Sequence, residues 1–421
     1  MRQAFLNAEF ASGRGGLLIE GETIVAVGKD VTAANVSGAQ AHDCKGRMIL
    51  PGIIDMRVFT GEPGSEYRET LASASDAAAA GGVTTMIVMP NTNPVIDDAA
   101  MVDFILRRAR DTAKVRVAPM AAITKGAAGE FMAELGLMKE AGAVAVTDGT
   151  KSVANAALLR RAMLYARDHD ILVVQHVEEP TLSGGMMNAG ERASRLGLSG
   201  SYGLSEVMQL ERDLRLVEMT GCRYHAAQIS CAESVEVMRR AKDRGLSVSC
   251  GVSVHHLSLN ESDVGPYRTF FKLSPPLRSE EDRQALVAGL VDGVIDVVVS
   301  GHDPQSDDTK RLPFAEAAFG AIGLETLLSS SLNLVHNKII SLERLSQVLS
   351  EAPARLLGLP QGRLVKGAPA DFVVVDPHHN WKVEPANLHS RSKNSPFEHR
   401  TLEGRAIETW VAGRKVYSYA E

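Results

Sequence analysis

Five short stretches hold most of the side chains that could carry chemistry: DMRVFTGEPG (55–64), TDGTKSV (147–153), QHVEE (175–179), HAAQ (225–228) and GHDPQSDD (301–308). The chemistry to test first is metal-assisted hydrolysis, because a divalent metal needs imidazole, carboxylate or thiolate lone pairs. His176 is the one good ligand in these stretches at a position expected to end a strand. Arg57 carries a permanent charge and has no free lone pair. Phe59, Gly149 and Gly301 offer no side-chain donor, and the Gln228 carbonyl is a weak zinc ligand. His302 and Asp303 could form an acid–base or metal pair, although GHDPQSDD also reads as a polar loop of turn and cap residues. For His176 the simpler reading is a neutral imidazole hydrogen-bonded through both ring nitrogens. Adjacent strand residues point to opposite faces, so at most one of His255 and His256 is expected to face a site. A nucleophilic Cys231 lacks an evident His/Asn partner arrangement.

The elements that must position these residues follow from hydrophobic patterning. Strand-length apolar runs occur at 52–59, 84–90, 115–124, 143–148, 171–179, 223–230, 246–253 and 294–302. Helix-like segments lie between them, such as SEYRETLASASDAAAAGG, AALLRRAMLYARDHD and ESVEVMRRAKDRG. Several end at Gly, as helix C-termini commonly do, and RSEEDR (278–283) reads as a solvated helix start. Strands alternating with helices imply parallel βα units, and eight of them a (β/α)8 TIM barrel. Both chain ends look β-rich and are expected to pair into a small composite β-sandwich, residues 1–50 with 363–421, flanking a barrel at 51–362. Barrel chemistry sits at the C-terminal strand ends. That rule selects Arg57, Phe59, Asn91, Asp148, Gly149, His176, His225, Gln228, His255, His256 and the stretch from Gly301 to Gln305.

The 421 residues suit one large barrel plus a smaller unit. A net charge of −6 without a basic stripe excludes a nucleic-acid binder. No run approaches a membrane span, and the start MRQAFLNAEF has no signal-like apolar region. Cys44, Cys222, Cys231 and Cys250 lack C-x-x-C spacing and read as reduced, mostly buried thiols of a cytoplasmic protein.

From about Arg47 to Tyr417 the chain resembles a bacterial dihydroorotase of the amidohydrolase superfamily. The resemblance is carried by PGIIDMRVFTGEPG, AGGVTTMIVMPNTNPV, GAVAVTDGTKSV, QHVEE, RYHAAQISCAESVEVMRRAK, SVHHLSLNE, FKLSPPLRSEEDRQAL, GVIDVVVSGHDPQ, FGAIGLETLL, GAPADFVVVD and SKNSPF. It implies a metal-dependent barrel that interconverts carbamoyl-aspartate and dihydroorotate. The family's first strand ends D-x-H-x-H-x-R, where this chain has Asp55, Arg57, Phe59 and Gly61. The second Asp after strand four is Gly149 here; a one-residue slip would put Asp148 in its place, but the downstream KSV fits better without a gap. His176 is retained, and the second His of H-x-x-H is Gln228. The family's D-H-x-P-H reads Gly301 to Gln305, so the residue that is both ligand and catalytic base is Gly301. Among substrate positions, Asn91 is retained while Gly61, Ser274 and Gln305 replace the family's residues.

Five of the six metal positions therefore lack their ligand, and no cofactor is expected. The resemblance then implies a degenerate, non-catalytic homologue in pyrimidine biosynthesis, a structural partner of aspartate transcarbamoylase that also self-associates. The alternative is an active dihydroorotase or related cyclic amidohydrolase. Its rebuilt or mononuclear zinc site, or a metal-free acid–base pair, would draw on His176, His225, His302, Asp303 and Asp148. Arg57 is expected to pair with Asp55 or another acid and fill the vacated space; its other use would be to hold a carboxylate ligand.

Overall fold

The computed structural model describes residues 1–420. The chain opens with β1 (Arg2–Phe10), β2 (Gly13–Glu20), β3 (Thr23–Gly28), β4 (Gln40–Asp43) and β5 (Met48–Pro51). Eight parallel strands follow, interrupted by one small ribbon. They are β6 (Ile53–Val58), β7 (Val83–Val88), β8 (Arg116–Ala121), β9 (Ala145–Val146), β10 (Val173–Gln175), then the ribbon β11 (Met187–Asn188) and β12 (Gly200–Ser201), then β13 (Tyr224–Ala226), β14 (Val248–Ser253) and β15 (Val297–Val299). The chain ends in β16 (Phe372–Lys382), β17 (Thr401–Val411) and β18 (Arg414–Ser418).

The barrel strands pair in sequence order from β6 to β15. The sheet closes through an isolated parallel bridge between Val58 and His302, with Phe59 N–H donating to His302 O at 2.9 Å. Burial on both faces explains why these strands read as continuous apolar runs. Several are much shorter than those runs: 143–148 pairs only at Ala145–Val146 and 171–179 only at Val173–Gln175. Apolarity reports burial, and residues just after these strands, such as Thr147, Asp148, His176 and Val177, are buried although they lie outside the assigned strands.

Helices cover the barrel where local chemistry starts them. Thr70 caps Leu71–Ala80, Asn155 accepts from the N–H groups of Ala157 and Leu158, and Ser279 caps Glu280–Val291 within RSEEDR. The two chain ends meet in a separate sheet through β5 and β16, with Leu50 opposite Val373. Phe5, Phe372 and Trp410 form its aromatic core, with Phe5–Phe372 centroids 4.8 Å apart. Among the described residues no helix is long and apolar enough to cross a membrane.

Candidate functional site at the barrel mouth

The C-terminal strand ends surround a cavity of about 420 Å³. Arg57, Phe59, Gln228, Gly301 and Gln305 line it, together with Ser274 and Asp303. Of the strand-end candidates, Arg57, Phe59, Gln228, His255, Gly301, Asp303 and Gln305 line this cavity, whereas Asn91, Asp148, Gly149, His176, His225, His256 and His302 do not.

Arg57 leaves the end of β6 and is 4 % exposed. Its Cζ lies 5.4 Å from the Phe59 ring centroid, a cation–π contact. No Arg57–Asp55 hydrogen bond forms, since Arg57 Nη1 and Asp55 Oδ2 are both buried without a hydrogen-bond partner; Asp303 is the acid whose charge acts most on Arg57, in keeping with the expectation of another acid. The other Asp55 oxygen is occupied by the N–H groups of Arg57 and Ser300, each at 3.2 Å. The β6–β7 register is irregular between Asp55 and Val58, and there the Asp55 carboxylate meets backbone N–H groups while Arg57 lines the cavity. Burial pushes Asp55 up to about 6 and Arg57 down to about 10.

The two glycines at positions where the resemblance expects ligands are held by backbone shape. Gly149 has φ +73°, and a Cβ there would fall 1.4 Å from Asn91 Oδ1. Asn91 occupies that space, and its Nδ2 donates to Asp148 O at 3.2 Å. Gly301 has φ +62°, and its Cβ would meet Ser253 Cβ at 3.1 Å. Gly61 has φ +72°, with a Cβ 2.7 Å from Ser65 O, so this loop has no room for the arginine the family carries there.

The remaining donors are directed elsewhere. His176 Nε2 meets Glu178 Oε2 at 3.0 Å, while its Nδ1 has no partner, so it does not use both nitrogens as expected. Burial raises the Glu178 carboxyl, but the His176 hydrogen bond and charge, with Arg278 and Ser201, together leave Glu178 below its ordinary value. Gln228 Nε2 lies 3.2 Å from His256 Nδ1. His225 Nδ1 is 2.8 Å from Ser249 Oγ, and burial pushes the ring down to about 3. Asp148 accepts from Thr124 N–H at 3.0 Å and Thr124 Oγ1 at 2.5 Å, so it does not take the ligand place either.

His302 and Asp303 do not form a pair. Asp303 lines the mouth and accepts from Gln305 Nε2 at 2.8 Å. His302 is fully buried on the other side, 3.6 Å from Glu69 Oε2 and accepting from Gly323 N–H. The extended stretch that bridges Val58 and Ala321 sends these neighbours to opposite faces. His255 and His256 depart from strand geometry, since both sit in the short helix Val254–Ser258. Only His255 lines the mouth; His256 turns to Ser253 Oγ at 2.7 Å and Pro275 O at 3.1 Å. Cys231 is buried and pushed up to about 12 by burial, which removes the thiolate a nucleophile needs.

These residues do not fit a family metal at the mouth. Among the described residues one group brings three metal-type ligand atoms within 4.8 Å of one another: His336, His378 and Glu403. It lies away from the mouth, on β16, β17 and the end of the helix Leu327–His336, and both His336 ring nitrogens lack a hydrogen-bond partner. Sequence reading missed this trio because its members are distant in the chain and meet only across the sheet. It also missed Arg68, which lines the mouth from the loop after Gly61. No local signal marks that arginine, since Glu69 and the segment near Ser390 place it.

The comparisons with known proteins fit the fold. A family model described as "Dihydro-orotase-like" matches residues 46–234, and one described as "Amidohydrolase family" matches residues 295–417. A protein named Dihydroorotase from Syntrophus aciditrophicus is 42% identical over 411 residues, covering 97% of this chain and 96% of its own. One of the same name from Anaeromyxobacter sp. is 44% identical over 382 residues, covering 90% and 88%. A solved L-hydantoinase (dihydropyrimidinase) from Arthrobacter aurescens superposes with a TM-score of 0.90 at 25% identity, covering 100% of this chain and 97% of that one. A (β/α)8 barrel with a sheet built from both termini, matched over nearly its whole length to such relatives, places this chain in the dihydroorotase-like family of amidohydrolases.

Proposed function

We propose that this chain is a non-catalytic dihydroorotase homologue of pyrimidine biosynthesis, acting in the cytoplasm as a structural partner of aspartate transcarbamoylase and self-associating within that assembly. The observation that supports it is the buried Arg57 guanidinium at a former metal position, beside Phe59 and with Gly301 where the base would be. Hydroxide at neutral pH requires a metal that lowers the pKa of bound water to about 7. His176 alone does not hold one, and a permanent cation opposes it. A rigid barrel without chemistry still offers partner surface, and standard complexes bury about 1,200–2,000 Å².

A second reading is a cyclic amidohydrolase opening a ring amide, favoured by the name Dihydroorotase on full-length relatives. Metal analysis of protein purified without chelator, with a dihydroorotase assay in both directions and zinc supplied, separates the two. The first reading expects no barrel zinc and turnover at blank level. Stoichiometric zinc lost on mutating His176, with turnover above blank, would establish the second. Zinc retained by His176→Ala but lost in Glu403→Gln would instead belong to the trio on the sheet. Failure to co-purify with the transcarbamoylase would remove the partner role.

A further inference from the structure

We propose that His336, His378 and Glu403 bind a zinc-type divalent ion that clamps the helix Leu327–His336 to the terminal sheet. Two neutral imidazoles and one carboxylate are a donor set that zinc takes, with water in the fourth position. The three ligand atoms lie within 4.8 Å of one another. His378 Nδ1 is 3.1 Å from Glu403 Oε1, and His336 Nδ1 is 3.6 Å from Glu403 Oε2. Zinc–nitrogen bonds of about 2.0–2.1 Å put tetrahedral donors about 3.3 Å apart, so small shifts close the three groups on an ion. A surface pair of His378 with Glu403 would account for two of the three residues. It does not account for His336, whose ring nitrogens are both shielded from solvent and without a hydrogen bond. Buried polar atoms are rarely left so, and a metal–nitrogen bond satisfies one of them.

The backbone holds the three residues together. The β16–β17 register shifts between Asp376 and Asn380, so Pro377, His378 and His379 stand opposite Gly404 alone. This bulge carries His378 over the helix end, where its ring stacks on His336 with centroids 5.9 Å apart. The helix is fixed beside Glu403: Ser329 Oγ donates to Gly404 O at 2.6 Å, and a Cβ on Gly404 would fall 2.6 Å from Leu332 Cδ1. His336 is the last residue of that helix, the end at which the macrodipole favours a cation. Among the described residues no lysine or arginine is ion-paired with Glu403. Arg405, two residues on, is taken up by the Trp381 and Tyr419 rings, 4.6 and 4.1 Å from their centroids. The carboxylate charge is therefore available to the ion. Magnesium and calcium prefer oxygen donors, so a site with two imidazoles discriminates against them.

The test uses the full chain stripped with chelator, zinc chloride as the probe and magnesium chloride as the hard-ion control. Calorimetry at pH 7 is expected to show zinc binding at least tenfold more tightly than magnesium, and zinc is expected to raise the melting midpoint. His378→Gln, on the exposed bulge, and Glu403→Gln are each expected to weaken that binding at least tenfold. Both should lose most of the zinc-dependent rise while their metal-free midpoints stay near that of the parent. Zinc is also expected to slow amide exchange at the end of the helix Leu327–His336 in the parent and not in His378→Gln, which reads the clamp directly. Retention of all bound zinc in both variants, zinc no tighter than magnesium, or zinc lost in His176→Ala and kept in the two variants would overturn the assignment.

Discussion

At the scale of single residues, the positions where the resemblance expects metal ligands are set by backbone conformation as much as by side-chain identity. Gly149 and Gly301 have φ of +73° and +62°, so returning aspartates there must enter the left-handed region. That conformation costs about 1–2 kcal/mol per ordinary residue. A fivefold variant, Arg57→His, Phe59→His, Gly149→Asp, Gln228→His and Gly301→Asp, is therefore expected to melt below the threefold histidine variant. It should also retain less than one barrel zinc per chain through desalting. One tightly held zinc with no loss of melting temperature would show that these loops yield easily. The cavity lining at Arg57 was legible from strand-end position, but which acid acts on it was not. The sequence places Asp55 two residues away and suggests pairing; the fold spends one Asp55 oxygen on backbone N–H groups and turns the other from Arg57.

At the scale of elements, the mouth is held by a segment distant in the chain. Asn394 donates to Gly320 O at 3.1 Å and accepts from Gln305 N–H at 3.2 Å, so it ties two lining loops together. Ser392 Oγ donates to Arg68 O at 2.8 Å, and the Arg391 N–H donates to Glu69. Leaving such buried groups unpaired costs about 1–3 kcal/mol. Asn394→Ala is expected to lose about that much in denaturant unfolding and to speed amide exchange at Gln305. Unchanged exchange there would assign the segment a role outside the mouth. In the terminal sheet, Phe372 is fully buried between Phe5 and Trp410. Phe372→Ala is expected to cost about 3–5 kcal/mol, measured by the same unfolding experiment. A loss below 1 kcal/mol would mean the sheet collapses around the gap.

For the whole molecule, buried titratable groups set the response to acid. Burial pushes His225 and His255 down to about 3 and His256 to about 4, so the native state binds fewer protons than the unfolded chain below pH about 6.5. Stability from these rings is full near neutrality and is lost as pH falls from about 6.5 toward the folded values. Asp55 and Asp213 are raised to about 6 by burial and act in the opposite sense between about 4 and 6, since the native state there holds the extra protons. Asp148 and Asp303 are raised by burial as well, but the rings act over the wider window, from about 6.5 down to about 3. The melting temperature is therefore expected to fall from pH 7 to 5, and more steeply below 4. His225→Gln, which keeps a partner for Ser249, should flatten that profile. A melting temperature higher at pH 5 than at 7 would mean the carboxyls dominate.

The sequence by itself determined the alternation of apolar runs and helices, and so the barrel, the pairing of both ends in one sheet and the ring of strand-end residues. These are local or periodic properties, written in residue order. It also names which side chains at the strand ends carry lone-pair donors, because side-chain identity needs no coordinates. Only the tertiary structure decided where the remaining groups point. His302 and Asp303 separate to opposite faces, His255 and His256 leave the strand for a helix, and Asp148 turns to Thr124. It also brought Arg68 to the mouth and assembled His336, His378 and Glu403 across the sheet. The reason is physical: orientation and partnership of buried polar groups depend on backbone pairing and on atoms from distant segments, which residue order does not contain.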